Sequence, residues 1–506
     1  MNQRKVGTLL SYLHIFISNT VSILYTPYML QMMGQSEYGL TGTATSFISY
    51  LSILSFGIGG AYLRFNARYR VANDREGEKQ LNGMFLVVFA CLAGLVLIGG
   101  LGCVALAGRL VQNTFTASEL FKLRVILILL TVNMMVAFVG NVVTMALQSY
   151  EEYLVLRLVT LVASILTPIV NIIALKLDGR AVALTAISLV ISILCYVIYF
   201  FYARKVIHLE FSFRGFRKDV LKELFIFSGF LFLNSITDQI TFSTDNIVLG
   251  AVKGTTAVAI YAVGANFRGY FQQFASAISA VFAPSVNLMI AKNQKMEEID
   301  ALFIRVGRIQ FYIVALILLG YLSIGQSFVR MWAGVEYSDA FYIGLLLMLS
   351  VGVPSFQNVG LEIQKAFNKH QARSVVYFLI ALMNIVLTIP WARRWGGIGA
   401  AAATLVTTFF GYVVFMNYYY WKHIGLNISA FWKAIASTLP SMLIPGVACY
   451  LINRFWIMDS FMELLLAAMV ICALFSVSIW FFSMNVYEKE ILKQPIRKVF
   501  AVLKNR

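Results

Sequence analysis

Charge is scarce in this chain. Asp, Glu, Lys and Arg make up 12% of its 506 residues, far below the share that covers an ordinary water-soluble surface. Histidine is scarcer still, with four copies at positions 14, 208, 370 and 423, too scattered for a metal cluster. The five cysteines, Cys91, Cys103, Cys195, Cys449 and Cys472, all fall inside apolar runs. A thiol there behaves as a small hydrophobe, and an odd, dispersed set builds neither a disulfide framework nor a metal site. The chain also lacks a G-x-x-x-x-G-K-[ST] phosphate loop, an H-E-x-x-H helix and any long polar loop able to hold an active site. The expectation is therefore a protein that is not an enzyme and carries no cofactor. Its work draws on a solute gradient, an ion gradient or the membrane potential, not on ATP bound to this chain.

Apolar sequence is what the chain has in quantity: 60% hydrophobic residues and a mean hydropathy of +0.79. A helix that crosses a bilayer needs roughly 20 mostly apolar residues. Fourteen runs meet that length, from 8–32 at the start to 461–483 at the end, with short loops between them. The first run is too long for a signal-peptide core and lacks a small-residue cleavage pattern, so it counts as a span. The expected fold is an all-α polytopic membrane protein. The net charge of +17 invites a nucleic-acid partner, and the positions of the charges dismiss it. With the N-terminus in the cytoplasm, 29 of the 40 Lys and Arg fall on inner loops and helix ends, 10 fall outside, and Arg268 stays within a span. That asymmetry is the positive-inside rule; it puts both termini in the cytoplasm and favours an even number of spans.

An internal repeat divides the chain. A shift of 220 residues lays the first two spans on the seventh and eighth, with Gly34 on Gly254, Ala44 on Gly264 and Phe47 on Phe267. A shift of 217 lays Asn141-Val142 on Asn358-Val359. Both glycines of the first pair are expected to begin a short outer turn. An even number of spans per copy gives both copies the same orientation. The organisation read from this is two six-helix lobes, 1–210 and 211–425, followed by two further helices and a basic tail over 426–506. That last pair is read either as peripheral packing on one lobe or as part of the substrate path.

Ionisable groups at mid-membrane are costly, so they mark cavities or substrate paths. Span seven carries Asn234, Asp238, Thr241 and Asp245 at steps of four, three and four, which places them on one helical face. The matching face of span one holds His14, Ser18, Val21 and Tyr25. Arg268 in span eight and Asp238 in span seven each lie about 12 residues from the outer helix end, so adjacent antiparallel helices bring them level. That pair reads either as a structural ion pair or as part of an anion or proton site. Arg64, Arg68 and Arg70 close span two at the cytoplasmic side. The last two read as snorkelling anchors, while the deeper Arg64 is a candidate for a phosphate at the inner mouth.

The segment 30–40, Leu-Gln-Met-Met-Gly-Gln-Ser-Glu-Tyr-Gly-Leu, and the segment 56–65, Phe-Gly-Ile-Gly-Gly-Ala-Tyr-Leu-Arg-Phe, resemble the bacterial polysaccharide-transporter family. Val-Ala-Ile-Tyr-Ala-Val-Gly at 258–264 and the turn at 146–153 look like corresponding stretches of the second lobe and of the loop after span four. The resemblance implies membership of the superfamily that also holds multidrug exporters and the peptidoglycan-precursor flippase. It implies a repeat-unit flippase for O-antigen, capsule or exopolysaccharide in the bacterial cytoplasmic membrane. The substrate would be an oligosaccharide on an undecaprenyl diphosphate carrier, with membrane lipids, a polymerase and glycosyltransferases as partners. On that reading Arg268 and Arg64 hold the diphosphate, and Asn234, Asn266, His14, Tyr25, Tyr261 and Tyr270 face the glycan. Asp238 and Asp245 oppose an anionic substrate, so they are assigned to a coupling proton or sodium ion. A multidrug exporter and a non-transporting membrane scaffold remain the competing readings.

Overall fold

The computed structural model describes residues 3–490 and 493, apart from 56–57, 215–217, 368 and 370. Side chains at 3–9, 11–12, 218–234, 276–281, 283 and 371–372 also lie outside that description. Every regular element among the described residues is helical. In order these are α1 (Gln3–Leu51), α2 (Ile58–Val71), α3 (Arg75–Leu110), α4 (Ala117–Ser149), α5 (Tyr153–Lys176), α6 (Ala181–Val206), α7 (Lys218–Lys253) and α8 (Thr255–Ala291). They continue with α9 (Met296–Trp332), α10 (Ala340–Phe356), α11 (Asn358–Ala366), α12 (Gln371–Thr408), α13 (Met416–Tyr419), α14 (Ile428–Ala436), α15 (Leu443–Phe455) and α16 (Phe461–Phe482).

Ten stretches among the described residues are long and apolar enough to cross a membrane. Two of them, of 59 and 52 residues, far exceed one bilayer at 1.5 Å per residue. Each contains a glycine in a non-helical conformation, Gly34 (φ 75°) in α1 and Gly396 (φ 60°) in α12. Glycine takes a positive φ without a Cβ clash, so the chain turns there. Gly254, the repeat partner of Gly34, has a φ of 85° between α7 and α8. A second pair follows the same 220-residue shift: Asn73 (φ 53°) before α3 and Asn293 (φ 49°) before α9. Asparagine is among the few residues that tolerate this region, so the repeat is written into the backbone at both ends of its first hairpin.

The described residues gather into two compact units. One comprises the chain up to Ala262 together with Ala381–Ala400; the other holds Val263–Ile380 and the chain from Ala401 on. This cut differs from the repeat boundary near 210, because α7 packs on α1. A Cβ on Gly39 would stand 1.9 Å from the Thr255 carbonyl oxygen, so only glycine permits that approach. Asn246 Nδ2 donates to Ser46 Oγ at 3.0 Å, and Ser49 Oγ donates to Ser243 Oγ at 3.1 Å. Behind them an aromatic and aliphatic core, with Tyr62, Phe85, Phe89 and Phe138 at its centre, joins α2, α3, α4 and α6.

In the second unit α9 is the organising helix. Phe303 stacks on Phe431 of α14 at 4.5 Å between ring centres. Cys449, Ile452 and Ile471 of α15 and α16 pack against Ile324, Phe328 and Met331 of α9. The last two helices are thus seated on α9. Arg308 of α9 fixes the end of that arrangement. It donates to both carboxylate oxygens of Glu488, at 2.7 and 3.2 Å, and to Ala434 O, Ser437 Oγ, Tyr312 Oη and Ser483 O. Six acceptors around its five N–H donors leave the buried guanidinium satisfied.

Candidate functional site

The polar face of α7 changes character along its length within the first unit. Asp238 is exposed, Thr241 is buried, and Asp245 is 0% exposed. The two carboxylate oxygens of Asp245 have different donors: Tyr261 Oη of α8 serves one, and Thr388 Oγ1 of α12 serves the other at 3.3 Å. Thr241, one turn earlier, donates to Thr237 O at 2.8 Å, and the Tyr50 and Thr244 hydroxyls bond to each other. The buried side of α7 is therefore a strip of hydroxyls ending in one enclosed carboxylate. Burial makes a bare carboxylate expensive. Surrounding hydroxyl oxygens give it the chemistry to accept a proton or a small cation.

This placement corrects one assignment. Tyr261 was expected to face sugar, yet it is 1% exposed and its hydroxyl is committed to Asp245, so it offers the glycan no surface in this conformation. Thr388 was missed, because a lone threonine in an apolar run carries no pattern. The expected four-residue stripe also divides, with its exposed and buried carboxylates seven residues apart. Asn234 lies among the side chains outside the description.

On α1, Tyr25 is half-buried with its hydroxyl turned toward Asn171 of α5, and half-buried His14 lies near the Arg157 charge of α5. Arg64 is exposed on the open face of α2. Its guanidinium stands 5.7 Å from the Phe65 ring centre, and that of Arg68 stands 5.5 Å from the same ring. Both arginines are thus exposed on α2 beside Phe65.

In the second unit, Arg268, Asn266 and Tyr270 are all half-buried on α8. They do not form one wall. At 100° per residue Asn266 and Tyr270 share a face, while Arg268 points about 200° away. Arg268 instead falls in line with Gly264 and Phe271, which are buried, and its Nε is enclosed.

Two networks within the first unit had no counterpart in the sequence reading. At the Gly34 end, Lys122 pairs with the buried Glu37, while Ser36 Oγ and Thr255 Oγ1 donate to Glu119 at 2.5 and 3.0 Å. At the opposite end, buried Glu78 accepts from Asn66 Nδ2 at 3.3 Å and Tyr150 Oη at 2.9 Å. Tyr62 Oη there donates to Asn82 Oδ1 at 2.6 Å. In the segment after α6 the Lys79 ammonium of α3 holds the Glu210 carboxyl below the usual carboxylate range. Among the described residues no group of three or more His, Cys, Asp or Glu is placed to hold a metal ion.

The sequence model of the family described as "Polysaccharide biosynthesis protein" matches residues 5–289, more than half of the chain. The chain belongs to that family. It is 22% identical over 501 residues to the "Uncharacterized membrane protein EpsK" of Bacillus subtilis strain 168, covering 95% of this chain and 96% of EpsK. Its fold is similar to that of a lipid II flippase MurJ in an inward closed conformation, with a TM-score of 0.67, 15% identity, and coverage of 94% and 99% of the two chains. It is also similar to an inward-facing multidrug resistance MATE family transporter of the MOP superfamily, with a TM-score of 0.65, 15% identity, and coverage of 82% and 95%. This member of the polysaccharide biosynthesis family is thus a multi-pass membrane protein whose fold is similar to that of those two proteins.

Proposed function

We propose that this chain is a flippase that carries undecaprenyl-diphosphate-linked oligosaccharide repeat units from the inner to the outer leaflet of the bacterial cytoplasmic membrane. The polymer served would be O-antigen, capsule or exopolysaccharide, and both termini lie in the cytoplasm. Membership of the polysaccharide biosynthesis family carries the reading; a fold similar to that of a lipid II flippase supports it. The repeat halves 1–210 and 211–425 alternate access. Arg268 and Arg64 are the cations for the diphosphate, since guanidinium groups match phosphate oxygens. Tyr25, His14, Asn234, Asn266 and Tyr270 supply polar contacts to the glycan, and Asp245 with Asp238 couples transport to a proton or sodium ion. The enclosed Asp245 also favours a second reading, export of organic cations in the manner of a multidrug transporter.

Purified chain in vesicles separates the two. Leaflet transfer of a native lipid-linked glycan, together with inner-leaflet accumulation of repeat units in cells that lack the protein, is the expected result. Export of cationic dyes without any leaflet transfer would overturn it.

A further inference from the structure

Arg373 lacks what Arg308 has. It stands in the first turn of α12, and its Nε is enclosed without a hydrogen-bond partner. The titratable groups around its guanidinium are Tyr377, Tyr420 and Tyr412, and all three tyrosines are buried. The guanidinium lies 4.7 Å from the Tyr377 ring centre, and that ring lies 4.2 Å from the ring of Tyr412. Phe303 packs edge-on against Tyr420 at 6.1 Å. Among the described residues no carboxylate pairs with Arg373; the Glu362 carboxylate, near Tyr420, is taken by Lys365 at 2.8 Å. All of these residues belong to the second unit.

The helix end adds to the imbalance. A helix N-terminus carries about half a positive charge, which acidic side chains complement. The first turn of α12 holds no acidic residue and places Arg373 there instead. A cation at that end, enclosed and without a counter-charge, is unfavourable alone and complementary to an anion. The surrounding wall is held in place. Lys369 Nζ donates to His423 O at 2.6 Å and Tyr419 Oη donates to Lys369 O at 2.9 Å, which ties the turn before α12 to the Tyr420–Ile424 stretch. That stretch and Phe409–Phe415 are π-helical and carry Tyr420 and Tyr412; π turns inside helices recur at functional sites.

We propose that Arg373, with Tyr377 and Tyr420, forms a phosphate-binding site at the cytoplasmic end of the second unit. A guanidinium presents forked N–H donors that match phosphate oxygens, and tyrosine hydroxyls are donors as well. The positive-inside count assigns the turn before α12 to the cytoplasmic surface, where the phosphates of inner-leaflet lipids and of soluble ligands are both at hand. The site goes beyond the flippase reading and stands whether or not the chain moves a glycan.

Thermal unfolding of the full, delipidated chain in detergent tests it. The probes are undecaprenyl diphosphate, phosphatidylglycerol and inorganic diphosphate, each titrated alone, with diacylglycerol as the phosphate-free control. At least one phosphate probe should raise the unfolding midpoint, and diacylglycerol should not. The probe that binds tightest names the source, whether carrier lipid, bulk phospholipid or soluble phosphate, and each of the three supports the site. Arg373→Gln should weaken binding of that probe at least tenfold. Arg373→Lys should keep part of the binding, because a point charge attracts phosphate without the bidentate fork. Without ligand, Arg373→Gln should unfold at or above the wild-type midpoint, since it removes a charge that has no counter-charge. A lower ligand-free midpoint would make Arg373 a structural cation of the tyrosine cluster and overturn the proposal. So would probe binding that Arg373→Gln leaves intact, an equal effect of diacylglycerol, or no rise with any phosphate probe.

Discussion

Replacing Asp245 by asparagine separates its chemistry from its packing. The amide is nearly isosteric, Tyr261 still has a carbonyl oxygen to donate to, and Thr388 accepts from the new NH2 by rotating its hydroxyl. Two charge-assisted bonds become two neutral ones, a change of about 1–2 kcal/mol in all. Asp245→Ala is different, because it leaves both hydroxyls buried without the carboxylate, at about 1–3 kcal/mol each. The alanine variant should therefore lose stability in detergent unfolding, and the asparagine variant should keep most of it. Transport should rank differently. A gradient of one pH unit is worth about 1.4 kcal/mol per proton, or tenfold in an equilibrium distribution. If Asp245 carries the coupling ion, Asp245→Asn vesicles should lose that tenfold accumulation of flipped glycan under either a proton or a sodium gradient. Passive exchange of the glycan between leaflets should continue. A well-folded Asp245→Asn protein that accumulates product under the gradient as the wild type does would refute the coupling role.

Other perturbations test the remaining arrangement. Arg268→Ala should abolish polymer export in cells with insertion unchanged, and Arg268→Lys should retain part of it, because a point charge attracts phosphate without the bidentate fork; rescue of Arg268→Ala by Asp238→Asn would show that charge balance, not phosphate binding, is its role. Arg308→Ala leaves Glu488 buried and unpaired and should cost roughly 3–5 kcal/mol, whereas Arg308→Met combined with Glu488→Leu should recover most of that in equilibrium unfolding. Gly39→Ala should cost about 1–3 kcal/mol through overpacking against the Thr255 carbonyl, read as a lower unfolding midpoint. Cysteines placed at Ser36 and Lys253 of a cysteine-free chain should react with an impermeant reagent from outside, and those at Asn73 and Lys295 should not; the reverse pattern would invert the topology.

The parts of this fold that could be read from sequence are those set by local rules. Apolar runs report helices, because each must satisfy its own backbone in lipid. Gly34 and Gly254 report turns, because a positive φ favours a residue without a Cβ. The 220-residue register is a comparison of such local signals, and Asn73 with Asn293 extends it in the backbone. Pairings between distant residues left no trace of this kind. Arg308 and Glu488 are 180 positions apart, and Thr388 is 143 from Asp245. Neither arginine nor threonine announces its acceptor. Arg308 could be read only as one more inner positive charge, and Thr388 as a spacer.

The α7 stripe shows where the boundary falls. A period of three and four residues fixes which side chains share a face, and that inference stands for Asp238, Thr241 and Asp245 as positions on a helix. A face is not yet an environment, however, because neighbouring helices cover α7 unevenly along its length. Where α8 and α12 supply Tyr261 and Thr388, the carboxylate is enclosed; seven residues earlier Asp238 is exposed. Two aspartates equivalent by periodicity are thereby unequal in chemistry. The enclosed one is suited to hold a small ion, and the exposed one to meet whatever passes α7. The same reasoning explains Tyr261. An aromatic with a polar tip suits a glycan-facing wall, but the Tyr261 hydroxyl donates to the Asp245 carboxylate and is committed there.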